Sequence, residues 1–484
     1  MLKLNSTRLL LGAAGILTIL IFGFFARSGG LTEQGTRPYI PQWQDAHEAL
    51  HQDPPLQEPT IELIPEPANV PYMAASPSSI PQPTQIATGA TESQNAGSGS
   101  LSTQWDKEAY TQVSSRMSSD GKWFPINFGD YNSYNPNLIP HPWKNDTWVM
   151  IAQGKQDEDD PKGGPVYSLE LVCDAEYIDG KMKCTRSPIS VPIASTVSDH
   201  CTDKLAWFNY FIGPNDPRVF FGPDRPYITY GSASQYTCLG QWIHDLRRLV
   251  KWDSAEALDR TQRFFWPTEL QRPKPYGGVE KNWFAFWDAA GEMYLHYNIY
   301  PSRSFAGVST DGSSITEDLA PQSARKDNRC LQEYMPKLGA EEHIHQATNS
   351  LAITMCSRRD SSCDKVKNTF IFTIFHHKLY NNNHNLYEPY VMSFHQSPPF
   401  GIHSIASKPF WINGRGKPGE TTSDRPAGQS QMMYITSMSW KDRNTTYQGY
   451  MDDDLMISFG VEDRAAGAID VRAGDLFQQH HICT

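Results

Sequence analysis

Short apolar and aromatic segments, separated by Gly, Pro, Asn and Asp clusters, recur along this chain from about Trp105 onward. Enrichment in β-branched and aromatic residues with this punctuation is typical of strands. The pattern predicts strands at 147–152, 218–221, 227–230, 282–287, 293–297, 350–354, 369–375, 390–394, 433–437 and 455–459. Only 241–250 and 254–263 are typical of helices. The chain is therefore predicted to be all-β.

The predicted strands form hairpin units that recur at a spacing of roughly 50–70 residues. Such a repeat fits small sheets arranged radially, which is how a β-propeller protects its strand edges. About five units fit between residues 120 and 475, so we expect a five-bladed propeller over 105–484. A β-sandwich or jelly roll is the alternative, but it needs longer Greek-key crossings than these short loops suggest.

The amino-terminal part of the chain has a different character. Residues 9–26 form an uncharged apolar run that follows Lys3 and Arg8 and precedes Arg27. A helix of this length spans about 27 Å, close to the thickness of a hydrocarbon core. We expect a type II signal anchor with residues 1–8 in the cytoplasm, and a cleaved signal peptide is the competing interpretation. The Pro- and Ser-rich segment 27–104 is predicted to be a disordered stalk.

Charge and cysteine content narrow the cellular setting. With 42 Lys and Arg against 53 Asp and Glu, the net charge of −11 argues against a nucleic-acid partner. The 8 cysteines favour disulfides, and spacing suggests the pairs Cys173–Cys184, Cys201–Cys238, Cys356–Cys363 and Cys330–Cys483. Asn145 and Asn444 lie in N-glycosylation sequons, which fits a lumenal domain. The sequence contains no Cys-x-x-Cys pair, so a thiolate zinc site is not expected, and no metal ligand is predicted.

A candidate acid lies in the string Asn215-Asp216-Pro217-Arg218, directly before a predicted strand. Pro217 fixes its own φ and restricts the backbone of Asp216, so a stiff turn aims the carboxylate. An acid held in this way suits proton transfer to a sugar oxygen. The alternative is a turn aspartate that pairs with a nearby arginine.

Several strings in this region resemble the five-bladed propeller enzymes of glycoside hydrolase family 130, which are mannoside phosphorylases and mannosidases, and the related β-1,2-mannosyltransferases. The matching strings run in order through most of 130–465 and are Asn135-Pro136-Asn137-Leu138-Ile139, Asn215-Asp216-Pro217-Arg218, Glu280-Lys281-Asn282-Trp283, Tyr300-Pro301-Ser302-Arg303, Phe375-His376-His377-Lys378, Tyr387-Glu388-Pro389-Tyr390 and 457–463. The anchor and stalk lie outside the resemblance and look like those of a fungal-type Golgi glycosyltransferase.

The resemblance implies that Asp216 protonates a glycosidic oxygen. It implies that Arg218, Lys281, Arg303 and His377 bind a phosphate or leaving group. The other candidate substrate-binding residues are Asn135, Asn282, Trp283, His345, Tyr387, Glu388 and Asp463. The family usually has Glu where this chain has Asn215, and the Cys-bearing insertions at 170–240 and 320–365 also depart from the bacterial pattern.

Hydrolysis with inversion needs a second carboxylate to activate water. Glu280 is the best candidate, followed by Asp463 and Glu388, although each could instead form an ion pair at a strand end. The Asp452-Asp453-Asp454 run resembles a Mn²⁺-binding motif, but it precedes a predicted strand rather than following one, so we expect a solvated turn. Trp143, Trp283, Trp411 and Trp440 could stack on sugar rings or lie in the core.

These observations predict a Golgi enzyme that transfers mannose in β linkage to a glycan or glycoconjugate acceptor. No cofactor is certain, and GDP-mannose or mannose 1-phosphate is the expected donor. The alternatives are a mannoside hydrolase or phosphorylase on the same propeller, and a glycan-binding propeller without catalysis.

Overall fold

The computed structural model describes residues 105–154, 166–194, 196, 198–199, 201–250, 260, 262–381, 384–420, 425 and 428–483. These residues all belong to one compact unit. The predicted anchor at 9–26 and the predicted stalk lie outside the described residues, as does most of the helix expected at 254–263. Among the residues that are described, no helix is long and apolar enough to cross a membrane.

Strands dominate the described part of the chain, as the sequence predicts. In the first half they are β1 (Thr111–Val113), β2 (Phe124–Asn127), β3 (Ser133–Pro140), β4 (Thr147–Gly154), β5 (Val166–Tyr167), β6 (Glu170–Ile178), β7 (Lys181–Cys184), β8 (Ile189–Ser190), β9 (Phe211–Ile212), β10 (Asn215–Phe221), β11 (Pro226–Ala233), β12 (Leu239–Asp245) and β13 (Thr268–Glu269).

The second half continues the same way. Its strands are β14 (Phe284–Trp287), β15 (Met293–Asn298), β16 (Ser304–Gly307), β17 (His343–Gln346), β18 (Leu351–Thr354), β19 (Thr369–Asn381), β20 (His384–His395), β21 (Ile402–Ala406), β22 (Phe410–Ile412), β23 (Met433–Trp440), β24 (Gln448–Tyr450), β25 (Asp454–Val461), β26 (Ala465–Arg472) and β27 (His480–Ile482). Within the described ranges one α-helix occurs, α1 (Ala324–Tyr334), alongside short 3₁₀ turns.

The strands form antiparallel meanders in which neighbours in sequence pair in space. One sheet has the order β10-β11-β12-β13, and another has the order β14-β15-β16. A larger sheet is built on β18-β19-β20-β21, with β17 also pairing with β19. The largest sheet has the order β23-β25-β26-β2-β7-β6-β4-β3. Within this sheet, β2 pairs antiparallel with β26 and parallel with β7, and so joins two antiparallel groups. A strand from the start of the domain thus completes the group formed by its last strands.

The first strands of the meanders meet one another in the interior. β3 packs against both β10 and β23, and β10 also contacts β23. A continuous core of aliphatic and aromatic side chains, including Phe220, Trp283, Ile353 and Ile457, runs between the sheets. β3, β10 and β23 are buried along almost their whole length, including polar residues such as Asn137 and Thr436.

The prediction of a helix over 241–250 is wrong. Residues 239–245 form β12, which pairs along its whole length with β11, and only Leu246–Arg248 make a 3₁₀ turn. Trp242 and Ile243 are good strand formers, and pairing with a neighbouring strand outweighs a weak helical periodicity. The helix α1 was not predicted, because it lies in a polar segment with few apolar positions.

Four disulfides close the described domain, and they join Cys173 to Cys184, Cys201 to Cys238, Cys330 to Cys483 and Cys356 to Cys363. These are the pairs that the spacing suggested. Disulfides persist in the secretory pathway and outside the cell. The four disulfides are consistent with a secretory-pathway or extracellular protein.

Candidate active site

Asp216 lies at the start of β10, where a β-bulge between Asn215 and Arg218 interrupts the pairing with β11. Its φ is +50°, in the left-handed region that Asp and Asn tolerate better than most residues. Bulges near active sites turn a side chain away from the regular alternation of a strand. The Asp216 amide donates to Oε1 of Gln153 at 3.1 Å, and its Oδ1 accepts from Nδ2 of Asn135 at 3.3 Å. Three strands therefore fix this carboxylate.

The turn before Asp216 is held by a buried amide. Asn215 accepts a hydrogen bond from the Ser168 hydroxyl at 2.7 Å and donates to the carbonyl of Gly213 at 3.3 Å. Gly213 has a φ of +110°, and a Cβ there would lie 2.2 Å from the Ser168 carbonyl oxygen, so only glycine fits. The family that the sequence resembles usually has a carboxylate at this position. In this chain, Asn215 stabilises the turn through its hydrogen bonds.

Arg218 is 4% exposed and points toward the same region. Its Nη1 donates to the carbonyls of Asp216 and Pro217 at 3.3 and 3.0 Å, and its Cζ lies 5.7 Å from the centre of the Tyr434 ring. Among the described residues, its Nε is buried without a hydrogen-bond partner. The guanidinium is therefore anchored on one side and retains an unsatisfied donor.

Two lysines from other parts of the chain interact electrostatically with this region, Lys281 with Asp216 and Arg218, and Lys378 with Lys281 and Asp463. Lys281 is exposed to water, yet burial lowers the pKa of its ammonium, which Asp216 raises and Arg218 lowers further. Burial, and then the charge of Lys281, lower the pKa of Lys378 to about 8, while Asp463 raises it. A side chain that water reaches but protein surrounds lines a deep concave site rather than the outer surface. Lys281 therefore lines a concave site, and Lys378, which is 6% exposed, lies close enough to feel its charge.

Two further carboxyl groups belong to the same cavity. Burial, the charge of Asp216 and that of Glu462 raise the pKa of Asp463 to about 6. Glu170, on β6, is fully buried, and burial followed by the charge of Asp216 holds its pKa well above the usual range. Both of its carboxyl oxygens lack hydrogen-bond partners among the described residues. Burial and the charge of Asp216 thus both favour the protonated form of Glu170, and they also favour the protonated form of Asp463.

Aromatic and imidazole side chains cluster beside these charged groups. Ring centres lie 4.8 Å apart for Tyr387 and Tyr434, 5.2 Å for His376 and Tyr387, and 5.6 Å for His345 and His376. Burial, followed by the charge of Lys281, lowers the pKa of His345 to about 3, and burial, followed by the charge of His345, holds the pKa of His376 well below its usual range. Both imidazoles are neutral at pH 7 and act as hydrogen-bonding groups rather than charges.

Strand alternation decides which residues of β19 and β20 reach the cavity. His376 and Lys378 share one face of β19, and Tyr387 pairs with Lys378 on that face. His377 and its partner Glu388 lie on the other face. There His377 binds the carboxylate of Glu342 at 2.8 Å. Glu388 forms a two-pronged ion pair with Arg415, both distances being 3.1 Å.

Other residues predicted for the site have partners of their own. Glu280 is buried and pairs with Arg272 at 3.1 Å. Trp283 is 1% exposed within the core, so the left-handed turn at Asn282 sends it inward while Lys281 faces the cavity. The guanidinium of Arg303 lies between Asp327, at 2.9 Å, and the carbonyl of Phe400. The structure thus brings together Asp216, Arg218, Lys281, Asn135, His345, Tyr387 and Asp463 from the predicted set.

Several cavity residues were not predicted from the sequence, namely Tyr134, Gln153, Glu170, His376, Lys378 and Tyr434. For Lys378 and His376 a signal was present, because both alternate with the predicted His377 on one strand. Glu170 and Tyr434 lie in ordinary strand sequences that carry no such signal.

The remaining predictions concern the surface. Asp453 pairs with Arg358, and Asp454 pairs with Arg116 at 2.9 Å, so the acidic run forms ion pairs. No group of three or more potential metal ligands occurs in the part of the chain that the structure describes. Asn145 and Asn444 are exposed in turns, where a glycan would meet no obstacle.

No protein-family model and no curated protein matches the sequence. Solved structures with a similar arrangement include a β-1,2-mannobiose phosphorylase from Listeria innocua, at 9% identity and a TM-score of 0.41 over 72% of this chain and 91% of that one. A GDP-Man-dependent mannosyltransferase from Leishmania mexicana matches at 9% identity and a TM-score of 0.33, over 72% and 89%. An α-L-arabinofuranosidase from Podospora anserina matches at 10% identity and a TM-score of 0.38, over 72% and 96%.

Proposed function

We propose that this chain is a glycosyltransferase that transfers mannose in β linkage from a phosphate-bearing donor to a glycan acceptor. The observation that carries the proposal is the electrostatic network that links Arg218, Lys281 and Lys378 with Asp216 and Asp463 beside the exposed Lys281 side chain. Each element of this arrangement has a chemical use in glycosyl transfer, as follows.

The three cations favour an anionic ligand. Lys281 and Lys378 disfavour each other's charged state, and Arg218 adds to the repulsion at Lys281. Burial favours the neutral form of Glu170, and the pKa of Asp463 is raised to about 6, so the negative charge that opposes these cations is reduced. A phosphate or diphosphate would relieve this repulsion and form charge-assisted hydrogen bonds with all three groups.

Asp216 is the group best placed to exchange a proton with the bridging oxygen of the transferred sugar. Its backbone is fixed on both sides, and its carboxylate accepts only the Asn135 amide hydrogen bond among the side-chain contacts seen here. In the transfer direction a carboxylate must accept the proton of the acceptor hydroxyl as the new bond forms. In the reverse direction the same group, protonated, donates it to the leaving oxygen.

The wider setting belongs to the same proposal. Sheets led by β3, β10, β14, β18 and β23 would be the five blades, and their first strands would surround the cavity. The segments at 9–26 and 27–104 would tether the domain to the Golgi membrane as a type II protein, in keeping with the four disulfides.

The proposal is tested by supplying the purified full-length chain with GDP-mannose or mannose 1-phosphate and oligomannose acceptors, and by separating the products. Lys281→Gln should raise the donor KM about tenfold or more, because a charge-assisted hydrogen bond is lost. Lys274→Gln is the matched control, since Lys274 is an exposed lysine of the preceding loop. An unchanged donor KM in Lys281→Gln, or no extended product from either donor, would contradict the proposal.

A mannoside hydrolase on the same scaffold is the second candidate, and Asp463 is the observation that favours it. Its carboxyl group interacts electrostatically with Asp216 and, with a pKa of about 6, could act as a second acid or base. Release of free mannose from β-mannosides without any donor would support this alternative.

A further inference from the structure

Two loops meet at one edge of the sheet that carries Asp216. The first, at 234–238, joins β11 to β12, and the second, at 270–280, leads from β13 toward Lys281. Each loop contributes a tyrosine, and the rings of Tyr236 and Tyr276 stack with their centres 5.6 Å apart and their planes inclined by 16°. We call these two residues the tyrosine pair.

Hydrogen bonds between the loops make the tyrosine pair rigid. The Thr237 hydroxyl donates to the carbonyls of Gly277 and Gly278, and the Cys238 amide donates to the Gly278 carbonyl at 3.2 Å. Cys238 is also tied to Cys201 by a disulfide. A surface that is fixed in advance loses little conformational entropy when a ligand binds.

The ion pair of Glu280 supports the tyrosine pair from beneath. Glu280 holds the Arg272 guanidinium at 3.1 Å, and the Arg272 amide donates to the Tyr276 hydroxyl at 3.2 Å. The Glu280 amide in turn donates to the Leu239 carbonyl at 2.8 Å and so joins the second loop to β12. The buried glutamate that the sequence offered as a second catalytic carboxylate thus orders this loop.

The outer face of the pair is open to water, and it lies near the cavity. Tyr236 is 47% exposed although the inner face of its ring is covered by Tyr276. Gly231, shortly before Tyr236, pairs with Asn215 next to Asp216, and Lys281 shortly follows Tyr276. A span of five residues reaches at most about 18 Å, so the pair lies within the length of a short oligosaccharide from Asp216.

An exposed tyrosine ring backed by a second ring is a surface suited to a sugar. The C–H groups on one face of a hexose are apolar and pack against an aromatic face, while the hydroxyls at the ring edge bond to polar neighbours. We propose that the tyrosine pair is an acceptor subsite that stacks against a mannose ring of the glycan, remote from the bond being formed. This inference rests on the proposed function for the identity of the sugar.

The two exposed tryptophans of the described residues do not share this position. Trp143 lies in the turn between β3 and β4, at the end of those strands opposite Asn135 and Gln153. Trp266 precedes β13 near the Asp245 end of β12, away from Leu239. Trp283, Trp411 and Trp440 are buried in the core.

The subsite is tested by direct binding, which does not depend on turnover. Mannotriose, with cellotriose for comparison, is titrated into the full-length chain and its tyrosine variants by ligand-observed NMR. Tyr236→Ala should raise the mannotriose Kd about threefold to tenfold. Tyr236→Phe keeps the ring, so its Kd should stay close to that of the original protein. Trp143→Ala is the control and should bind as the original protein does.

The outcomes separate this subsite from the proposed reaction. An equal Kd in Tyr236→Ala, or no binding of mannotriose to the original protein, overturns the subsite. Loss of binding in Tyr236→Ala together with absent turnover in the original protein keeps the subsite and contradicts the transferase. The unfolding midpoint of each variant shows whether a change in Kd reflects folding, and Tyr236→Phe keeps the test valid if Tyr236→Ala unfolds.

Discussion

Two turns with the same backbone stand side by side at the centre of this molecule. Asn135-Pro136-Asn137 opens β3 and Asp216-Pro217-Arg218 opens β10, each with a left-handed residue before proline and a bulge at the same place. In the first turn the side chains are amides, and in the second they are a carboxylate and a guanidinium. The two turns share a backbone conformation but differ in the chemistry of their side chains.

The amides of the first turn hold the second turn in place. Asn137 donates to the Pro217 carbonyl at 2.9 Å and accepts from the Val219 amide at 3.0 Å, while Asn135 donates to Asp216. The first turn thus supports the second, and we propose that the second turn supplies the reactive group. A residue near a reactive group can therefore be structural even when its backbone has the same conformation as that of the reactive residue.

The largest effect on stability is expected from Asn137→Ala. Asn137 is fully buried, and its removal leaves the Val219 amide and the Pro217 carbonyl without their bonds, at a cost of about 3 kcal/mol in the free energy of unfolding. Urea unfolding measures this change through the midpoint at constant m-value. Asn127→Ala, at an exposed position, should cost less than about 1 kcal/mol, and equal losses in the two variants would show that the turns are independent.

Asn135→Asp converts the supporting turn into a copy of the reactive one. The Asn135 amide nitrogen lies 3.3 Å from a carboxylate oxygen of Asp216, and the substitution places a second carboxyl group there. Two carboxyl groups at this distance do not both ionise easily. We expect the acidic limb of the kcat/KM profile to move upward by about one pH unit, with roughly tenfold lower activity at pH values on that limb. Asn127→Asp is the control, and an unshifted profile in Asn135→Asp would argue against contact between the two turns.

Asp463 extends the comparison to a third left-handed turn, with a φ of +49°. Its pKa is raised from 3.8 to about 6, so folding favours the protonated form. Its contribution to stability is therefore present below about pH 4 and is lost as the pH rises through 6. The unfolding free energy of the original protein relative to Asp463→Asn should fall by about 1 kcal/mol between pH 4 and 7. A difference that does not vary with pH would place Asp463 outside the cavity.

The strand content and the four cysteine pairs could be predicted because they depend on local pattern and spacing. The stiff turn at Asp216 could also be recognised, since proline restricts its neighbours in any context. The extent of β12 could not be predicted, because its pairing with β11 is a long-range property that overrides local helical preference.

The site itself was predicted in part. Asp216, Arg218 and Lys281 lie together, whereas Arg303 and Glu388 have buried ion-pair partners that are distant in sequence. His377 differs from His376 only by the parity of its position, and parity cannot be assigned until the register of β19 is known. Glu170 carries no local signal, because its burial next to Asp216 arises only when β6 and β10 are assembled.

The most direct test of the account compares Asp216→Asn with Asp179→Asn in the mannosyl-transfer assay. Asp179 also has a left-handed backbone, with a φ of +51°, but lies on an exposed turn. The account predicts that Asp216→Asn lowers kcat by about 10²–10⁴-fold with an unchanged unfolding midpoint, and that Asp179→Asn leaves kcat unchanged. Full turnover in Asp216→Asn would contradict the assignment of Asp216 as the reactive group.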